Sequence, residues 1–274
     1  MKVLIRKLHV GMRKYYAIAK INFANRLAYP GNLVGEVVFL LFIFSTLFFV
    51  HRLTMAHAVA AQREGLSIAQ VMWMIFFTNI VGLERARGIM RDINEEILSG
   101  QIAYQLNRPF SYLLFHLARY VGDKLVSIIF SGVITGLFLY VLVGIPDVSF
   151  VSLSVGISMF CMGIMINFLM QCCIGLCTFW IDRIDPLRWI YMQALIVMGG
   201  AAVPVAFYPQ AIKKIILLLP FSNIVYGAAR IMVDSKHPDM LFYCGLQVIW
   251  LIIMLIVTRI IFKIGVRNVA VGGG

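Results

Sequence analysis

Long apolar runs alternate with short polar gaps along the chain. Runs of about 18 or more uncharged residues match the ~30 Å hydrocarbon core of a bilayer, because a helix rises about 1.5 Å per residue. The pattern predicts an all-α, polytopic membrane protein with six transmembrane helices in one transmembrane domain, residues 1–274. The predicted spans are residues 33–50, 66–83, 125–145, 150–180, 189–203 and 240–258.

A polar segment, residues 84–124, separates the second predicted span from the third. Charged residues of both signs crowd together in it, whereas the sequence on either side is strongly apolar. A charged segment of this length between two spans must lie in water at one face of the membrane.

The N-terminal segment, residues 1–31, carries seven Lys and Arg residues among apolar residues at helix-like spacing. This pattern predicts a basic amphipathic helix that lies on the cytoplasmic leaflet and ends near Pro30. A partly disordered basic tail is the alternative.

Within residues 204–239, the prolines at positions 204, 209 and 220 divide the chain into pieces too short to cross a bilayer. We expect interfacial or re-entrant helices here, on the extracellular side and before the sixth span, with Ser222 or Asn223 capping one of them. Before the fifth span, Asp185 followed by Pro186 predicts a helix start with Asp185 as the N-cap.

Composition and charge agree with a membrane protein and set its orientation. Only 13% of the 274 residues are charged, about half the share in a soluble domain. The net charge of +12 lies in the gaps between apolar runs, so the positive-inside rule explains it better than a nucleic-acid partner. With six spans, the side that holds both termini has 18 Lys and Arg residues and the other side has 6. This split predicts a multi-pass protein of the cytoplasmic (inner) membrane, in contact with its lipids, with both termini and the 84–124 segment in the cytoplasm.

The five cysteines all lie in apolar runs, so they do not indicate a secreted disulfide framework. Cys173 and Cys177 are four residues apart and would share a helix face, which is one requirement of a metal site. No His or carboxylate near them in sequence completes a set of ligands. Packing is therefore favoured, and we predict no metal site.

Three polar residues inside predicted spans are candidates for a substrate pathway. Glu36 lies near the start of the first span, where it either lines a pathway or sits at the headgroup level beside the helix N-terminus. Asn167 and Gln171 are four residues apart and should face other helices. We expect them to form inter-helix hydrogen bonds, and contact with a substrate is the alternative.

The first part of the 84–124 segment is predicted to be a short helix. Asp92 and Glu95 have the spacing of a capping box. Ile89, Ile93 and Ile97 recur every four residues and form an apolar stripe, which Ser99-Gly100 would end.

The chain that follows is predicted to be extended, because Ile102, Tyr104 and Leu106 alternate with polar neighbours. Asn107-Arg108-Pro109 would then start a new helix that leads into the third span. A short helix, a sharp turn and an extended arm with exposed apolar residues suit insertion into a groove of another protein.

These residues carry a resemblance to a known family. The stretch GIMRDINEEILSGQIAYQLNRPFSYLL, together with NRLAYPGNLVGE near the N-terminus, resembles the transmembrane (permease) subunit of ABC-2 type transporters, in a short six-helix branch of poorly defined substrate. The resemblance implies two copies of a separate ABC ATP-binding subunit and a second permease, either identical or paralogous. It also implies that a coupling helix after the second span sits in a cleft of the ATPase.

The resemblance assigns a set of residues to contact with the ATP-binding subunit. They are Arg91, Ile93, Glu95, Glu96, Ile97, Gly100, Gln101, Ile102, Tyr104, Arg108 and Pro109. The sequence has no G-x-x-x-x-G-K-[ST] phosphate loop and no catalytic signature, so this chain is not predicted to be an enzyme or to bind a cofactor. The partner subunit would bind ATP and Mg.

The expected function is therefore export of a hydrophobic or amphiphilic substrate (a drug, a peptide or a lipid-linked molecule) across the cytoplasmic membrane, powered by the partner's ATP hydrolysis. An ion-gradient-driven secondary transporter is the alternative, and it would normally need charges in mid-membrane. Homodimer and heterodimer both remain open, as does the identity of the substrate.

Overall fold

A computed structural model describes residues 2–55, 65–82, 88–234 and 240–272. Within these ranges the chain forms helices joined by short turns and contains no β-strand, which confirms the all-α class. Part of the predicted 84–124 segment, and Arg63, Arg85, Arg87 and Lys236 of the charge count, lie outside the described residues.

The helices follow one another with short connections. They are α1 (Lys2–Leu27), α2 (Pro30–Met55), α3 (Ile68–Gly82), α4 (Ile89–Leu98), α5 (Gln101–Leu106), α6 (Tyr112–Val143), α7 (Phe150–Leu176), α8 (Asp185–Met198), α9 (Gln210–Leu218), α10 (Pro220–Val233) and α11 (Met240–Gly272). A π-helical segment, Ser127–Gly132, interrupts α6, and a 3-10 turn, Cys177–Phe179, extends α7.

In the described part of the chain, four helices are long and apolar enough to cross a bilayer: α2, α6, α7 and α11. The pair α9 and α10 is bent by 104° and forms either a broken span or a re-entrant loop, which gives at most five candidates. The chain is thus a multi-pass membrane protein, but the predicted number of six spans is not confirmed. The helices at the second and fifth predicted spans, α3 and α8, have 15 and 14 residues, so each is only about 22 Å long.

Other predicted boundaries also shift. The helix that contains the third predicted span begins at Tyr112, three residues after its predicted start at Pro109. Helix α8 begins at Asp185 with Ile184 as its N-cap, so Asp185 is one residue inside the helix. Ser222 and Asn223 lie inside α10, whose N-cap is Leu219. Their side chains instead donate to carbonyls of residues 216, 217 and 219 across the bend between α9 and α10.

The N-terminal segment is helical from Lys2 to Leu27, as its spacing predicts, and a disordered tail is wrong for these residues. Helix α1 packs along α6, where Gly122 approaches the backbone of Ala19 so closely that a Cβ atom would overlap it. Asn22 adds a hydrogen bond to the carbonyl of Arg119 at 3.0 Å. The position of α1 on a membrane surface stays a prediction.

Helix α10 is the centre of the bundle. Nearly all of its residues are buried, and it packs against α3, α7 and α11. Close contact with α7 depends on Gly163, since a Cβ atom there would overlap the carbonyl oxygen of Ile224. The side chain of Gln247 on α11 donates to the carbonyls of Met159 and Asn223, both at 2.9 Å, and joins α11 to α7 and α10.

Candidate functional site

Helices α4 and α5 form a pair of short helices joined by a sharp turn. Helix α4 begins at Ile89 with Gly88 as its N-cap. The predicted capping box at Asp92 and Glu95 is therefore wrong, because Asp92 lies inside the helix. The predicted stop at Ser99-Gly100 is confirmed. Gly100 has φ of +72°, a left-handed conformation that a glycine adopts readily.

Two other local predictions are corrected. Residues 101–106, predicted to be extended, form helix α5. Pro109 does not start the next helix, because α6 begins at Tyr112 with Ser111 as its N-cap. The alternation of apolar residues over six positions fits one turn and a half of helix as well as it fits a strand, so periodicity could not separate the two.

The inner face of α4 packs on the end of α7. Ile93 is fully buried there, and a Cβ atom added to Gly175 of α7 would lie 3.0 Å from the Cβ atom of Ile93. Asn94 donates a hydrogen bond of 2.9 Å to Thr178 in the 3-10 turn. Arg91 reaches α8, where its guanidinium lies 3.4 Å from the carboxylate of Asp185. These contacts fix α4 against the bundle.

Glu96 joins α4 to α6 through a buried carboxylate. Its Oε2 atom accepts hydrogen bonds from the hydroxyl of Tyr112 at 2.8 Å and from Nε2 of His116 at 3.1 Å. Burial alone would raise the pKa of the Glu96 carboxyl, but His116, Tyr112 and Arg119 together lower it below its ordinary value. Glu96 is therefore a stable anion inside the chain.

Asp92 forms the second connection between α4 and α6. Its carboxylate lies 2.9 Å from the guanidinium of Arg119, which also approaches Glu96 at 3.8 Å. Burial raises the pKa of the Asp92 carboxyl, and the charge of Arg119 opposes this only in part. The two acidic residues on α4 thus share one arginine on α6.

The polar contacts continue beyond α6. Tyr112, His116, Arg119 and Asp123 recur every three or four residues and so form one stripe on that helix. Arg26 of α1 donates to the carbonyl of Asp123 at 2.6 Å and pairs with Glu36 of α2 at 2.5 Å. Glu36 in turn accepts from Ser131 in the π-helical segment at 2.9 Å. A polar network therefore extends from α4 through α6 to α1 and α2.

The outer face of α4 and α5 is exposed and partly apolar. Leu98 and Tyr104 expose 56% and 67% of their surface, and Glu95, Ser99 and Gln101 lie beside them. The guanidinium of Arg108 lies 4.8 Å from the centre of the Tyr104 ring, which holds that ring in place by a cation–π contact. We call these residues, Glu95, Leu98, Ser99, Gln101, Tyr104 and Arg108, the outer face.

The predicted contact residues fall into two groups. Ile93, Glu96 and Ile102 are buried inside the chain, so the docking surface proposed below does not include them. They sit on the side of each helix that meets α6 and α7, and position in sequence alone did not show which side that is. Arg91, Ile97 and Arg108 are partly buried, while Gly100 and Pro109 are exposed together with the other outer-face residues.

The predicted pathway residues take part in the packing of the bundle. Asn167 donates to the carbonyl of Val81 at 2.9 Å and to the hydroxyl of Tyr120 at 3.1 Å, and it accepts from Tyr191 at 2.5 Å and from Gln171 at 3.2 Å. Both amides are buried, as expected for inter-helix hydrogen bonding. Glu36 lies in the second turn of α2, paired with Arg26 as described above.

Several residues of the site were not identified from the sequence. The stripe of His116, Arg119 and Asp123 could have been found from its spacing, but these residues were assigned to an aqueous loop. Lys124 was missed for the same reason, although its ammonium donates to the carbonyls of Ile80 and Val81 at 3.2 and 2.7 Å and so caps the end of α3.

The cysteines contribute to packing within the described part of the chain. Sγ of Cys173 lies 3.1 Å from the hydroxyl of Thr258, and the Cys177 thiol donates to the carbonyl of Cys173. No group of three or more His, Cys, Asp or Glu side chains among the described residues is arranged to hold a metal ion.

A family model described as ABC-2 family transporter protein matches residues 37–273. The chain belongs to this family. The match confirms the resemblance drawn from the sequence, and it includes all of α4 and α5. ABC-2 permeases are transmembrane components of ABC transporters, are not themselves catalytic and typically work with an ATP-binding subunit. No curated protein and no solved structure matches the chain.

Proposed function

We propose that this ABC-2 protein is the permease of an ABC exporter and that a separate ATP-binding subunit docks on the outer face of α4 and α5. One observation carries the proposal: α4 is fixed to the bundle on one side, and on the other side Leu98 of α4 and Tyr104 of α5 are large and exposed. Both residues lie outside the candidate membrane spans. A short helix with apolar and charged residues on its free face suits insertion into a groove of a partner.

The contacts of α4 with α6 provide a route by which a movement of the partner would reach the bundle. When the ATP-binding subunits close, they would push on the outer face, and α4 would transmit the movement through Asp92 and Glu96 to α6. Arg26 and Glu36 would carry it on to α1 and α2. Hydrogen-bonded charge pairs suit this role because their geometry is directional and their separation costs more than sliding of apolar surfaces.

The rest of the assembly follows from the family and the charge distribution. Two ATP-binding subunits would supply ATP and Mg, and a second permease, identical or paralogous, would complete the transporter. The excess of Lys and Arg on the side of the termini supports the cytoplasmic membrane with both ends inside. The exported substrate would be hydrophobic or amphiphilic.

Site-specific photocrosslinking tests the docking surface. The photoreactive residue p-benzoylphenylalanine would replace Tyr104 of the outer face or, as a matched control, Phe42 of α2, since both aromatic side chains are about equally exposed, at 67% and 70%. We expect position 104 to crosslink to a protein that carries a phosphate-binding loop, and position 42 not to do so. A well-expressed protein that gives no such adduct from position 104 would refute the docking assignment.

The ion-gradient alternative loses its main support. Glu36 was its candidate carboxylate in the first span, and this residue is engaged by Arg26 and Ser131. Transport in membrane vesicles separates the two mechanisms. An ABC exporter requires ATP and tolerates a protonophore, whereas a proton-driven transporter shows the opposite behaviour.

A further inference from the structure

A polar cavity of about 780 Å³ lies between α1, α2 and α6, beside α4. Arg26, Glu36, Asp92, Arg119 and Asp123 contribute to its lining, so most of the polar network described above surrounds it. Asparagines from α1 and α2 complete much of the remaining wall. The cavity is therefore charged, although it adjoins a helix that is long and apolar enough to span the membrane.

The charges of the lining are mixed. Two arginines and three acidic residues line the cavity, so acidic side chains outnumber basic ones by one. A ligand with an ammonium group would balance this excess. In addition, Nε of Arg26 is buried and has no hydrogen-bond partner among the described residues, and 4% of that side chain is exposed. A buried donor without a partner is costly, so this atom calls for an acceptor oxygen.

We propose that this cavity binds the zwitterionic headgroup of a membrane amphiphile, in which an ammonium group is close to a phosphate or carboxylate. The ammonium would lie among the carboxylates, and an anionic oxygen would accept from Nε of Arg26. A purely anionic headgroup would meet three carboxylates, whereas a purely cationic headgroup would leave Nε of Arg26 unpaired. Only a headgroup that carries both charges satisfies both requirements.

Helix α2 provides a place for the apolar tail. Phe39 lines the cavity, exposes 55% of its surface and is followed one turn later by the exposed Phe42. Val34 and Val38 are exposed on the same helix. Acyl chains that leave the cavity would lie along this apolar surface, so a lipid or a lipid-like substrate fits better than a water-soluble zwitterion.

The cavity also reaches α4. Asp92 and Arg119 line it, and they also line a second cavity of about 580 Å³ beside Glu95, Leu98 and other outer-face residues. A headgroup bound next to Arg119 would contact the ion pair that holds α4 to α6. This link between ligand and ATP-binding subunit rests on the proposed function, whereas binding of the headgroup does not.

Two glycines of α2 offer a matched pair for a test. Gly31 and Gly35 are one turn apart, and a Cβ atom added to either meets no atom within 4 Å. Only Gly35 lines the cavity. Gly35→Trp should therefore fill the cavity without disturbing the packing, while Gly31→Trp places the same side chain outside it.

The test measures binding to the full-length permease, purified without its partners in a non-ionic detergent. The probes are dihexanoyl phosphatidylethanolamine, which is zwitterionic, dihexanoyl phosphatidylglycerol, which is anionic with the same tails, and hexyltrimethylammonium, which is cationic. We expect the wild type and Gly31→Trp to bind the zwitterion at least about tenfold more tightly than either other probe, and Gly35→Trp to lose this preference. Because no ATP-binding subunit is present, a failure here is distinct from a failure of the docking assignment.

A change of charge at one exposed position of the wall adds a second readout. Asn32→Lys should weaken binding of the zwitterion by bringing a cation near its ammonium, whereas Asn32→Asp should not weaken it. Equal binding of the anionic probe would overturn the proposal, and so would equal binding of the cationic probe. Full binding by Gly35→Trp would overturn the assignment of the ligand to this cavity.

Discussion

Alanine substitutions of Glu96 and of its neighbour Glu95 test whether the two faces of α4 have different roles. Both residues were assigned to contact with the ATP-binding subunit, but only Glu96 is buried, with Tyr112 and His116 as its donors. Glu95 lies on the outer face. We expect Glu96→Ala to destabilise the permease itself, and Glu95→Ala to leave the permease stable while it weakens contact with the ATP-binding subunit.

The size of the effect follows from the donors that Glu96 satisfies. Tyr112 and His116 are buried, so both donors depend on this carboxylate for a partner. Each buried donor left without an acceptor costs about 1–3 kcal/mol, and removal of one partner from a buried charge pair costs about 3–5 kcal/mol. We therefore expect Glu96→Ala to lower the free energy of unfolding by about 3–5 kcal/mol. Glu95→Ala should change it by no more than about 0.5 kcal/mol.

Equilibrium unfolding of the purified permease in mixed micelles measures both values. Co-purification with the ATP-binding subunit then shows which variant still assembles. Glu96→Gln is a useful intermediate, because it keeps a carbonyl acceptor and loses only the charge, so its cost should lie between those of the wild type and Glu96→Ala. If Glu96→Ala and Glu95→Ala had the same free energy of unfolding, the separation of inner and outer faces would be refuted.

Three further predictions concern the same network and its surroundings. Asn167→Leu removes hydrogen bonds to three other helices, each worth about 0.6 kcal/mol in a membrane protein, so the free energy of unfolding should fall by about 2 kcal/mol. Gly175→Ala overpacks the contact between α4 and α7 and should cost about 1–3 kcal/mol, whereas Gly245→Ala, which faces open space, should not lower stability. Folding lowers the pKa of the Glu96 carboxyl, so the stability that its charge contributes at neutral pH is lost as the pH falls below about 4. The free energy of unfolding of the wild type should therefore fall more steeply in acid than that of Glu96→Ala.

The long apolar runs were sufficient to predict much of the fold. Helix α7 begins at Phe150, two residues after the uncharged run begins, because a bilayer-spanning segment must satisfy its backbone groups by forming a helix. The start of α6 was predicted from Asn107-Arg108-Pro109 and not from an apolar run, and it lies at Tyr112. Charged residues such as Arg119 and Asp123 lie inside α6, because they have contacts with α4 and α1. A charged stretch of sequence therefore did not indicate a break in the helix.

The position of α4 along the chain was easier to predict than the direction in which its side chains point. Its composition set it apart from the spans, and the isoleucine spacing predicted α4. The inward direction of Glu96 and the outward direction of Glu95 depend on where Tyr112 and His116 lie in space, and these residues are 16 and 20 positions further along the chain. The central place of α10 also depends on tertiary packing, since its 14 residues are too few to be recognised as a span.

The two faces of α4 differ in a way that bears on coupling. Toward α7 the contact is close-packed at Ile93 and Gly175 and includes one hydrogen bond between neutral side chains, from Asn94 to Thr178, which is weaker than a charge pair. Toward α6 the contact consists of charge pairs, which would resist separation. A push on the outer face should therefore rotate α4 about its contact with α7 and displace α6 with it. Since Arg26 ties α6 to α2 through Glu36, that displacement would act directly on the cavity proposed to hold the headgroup.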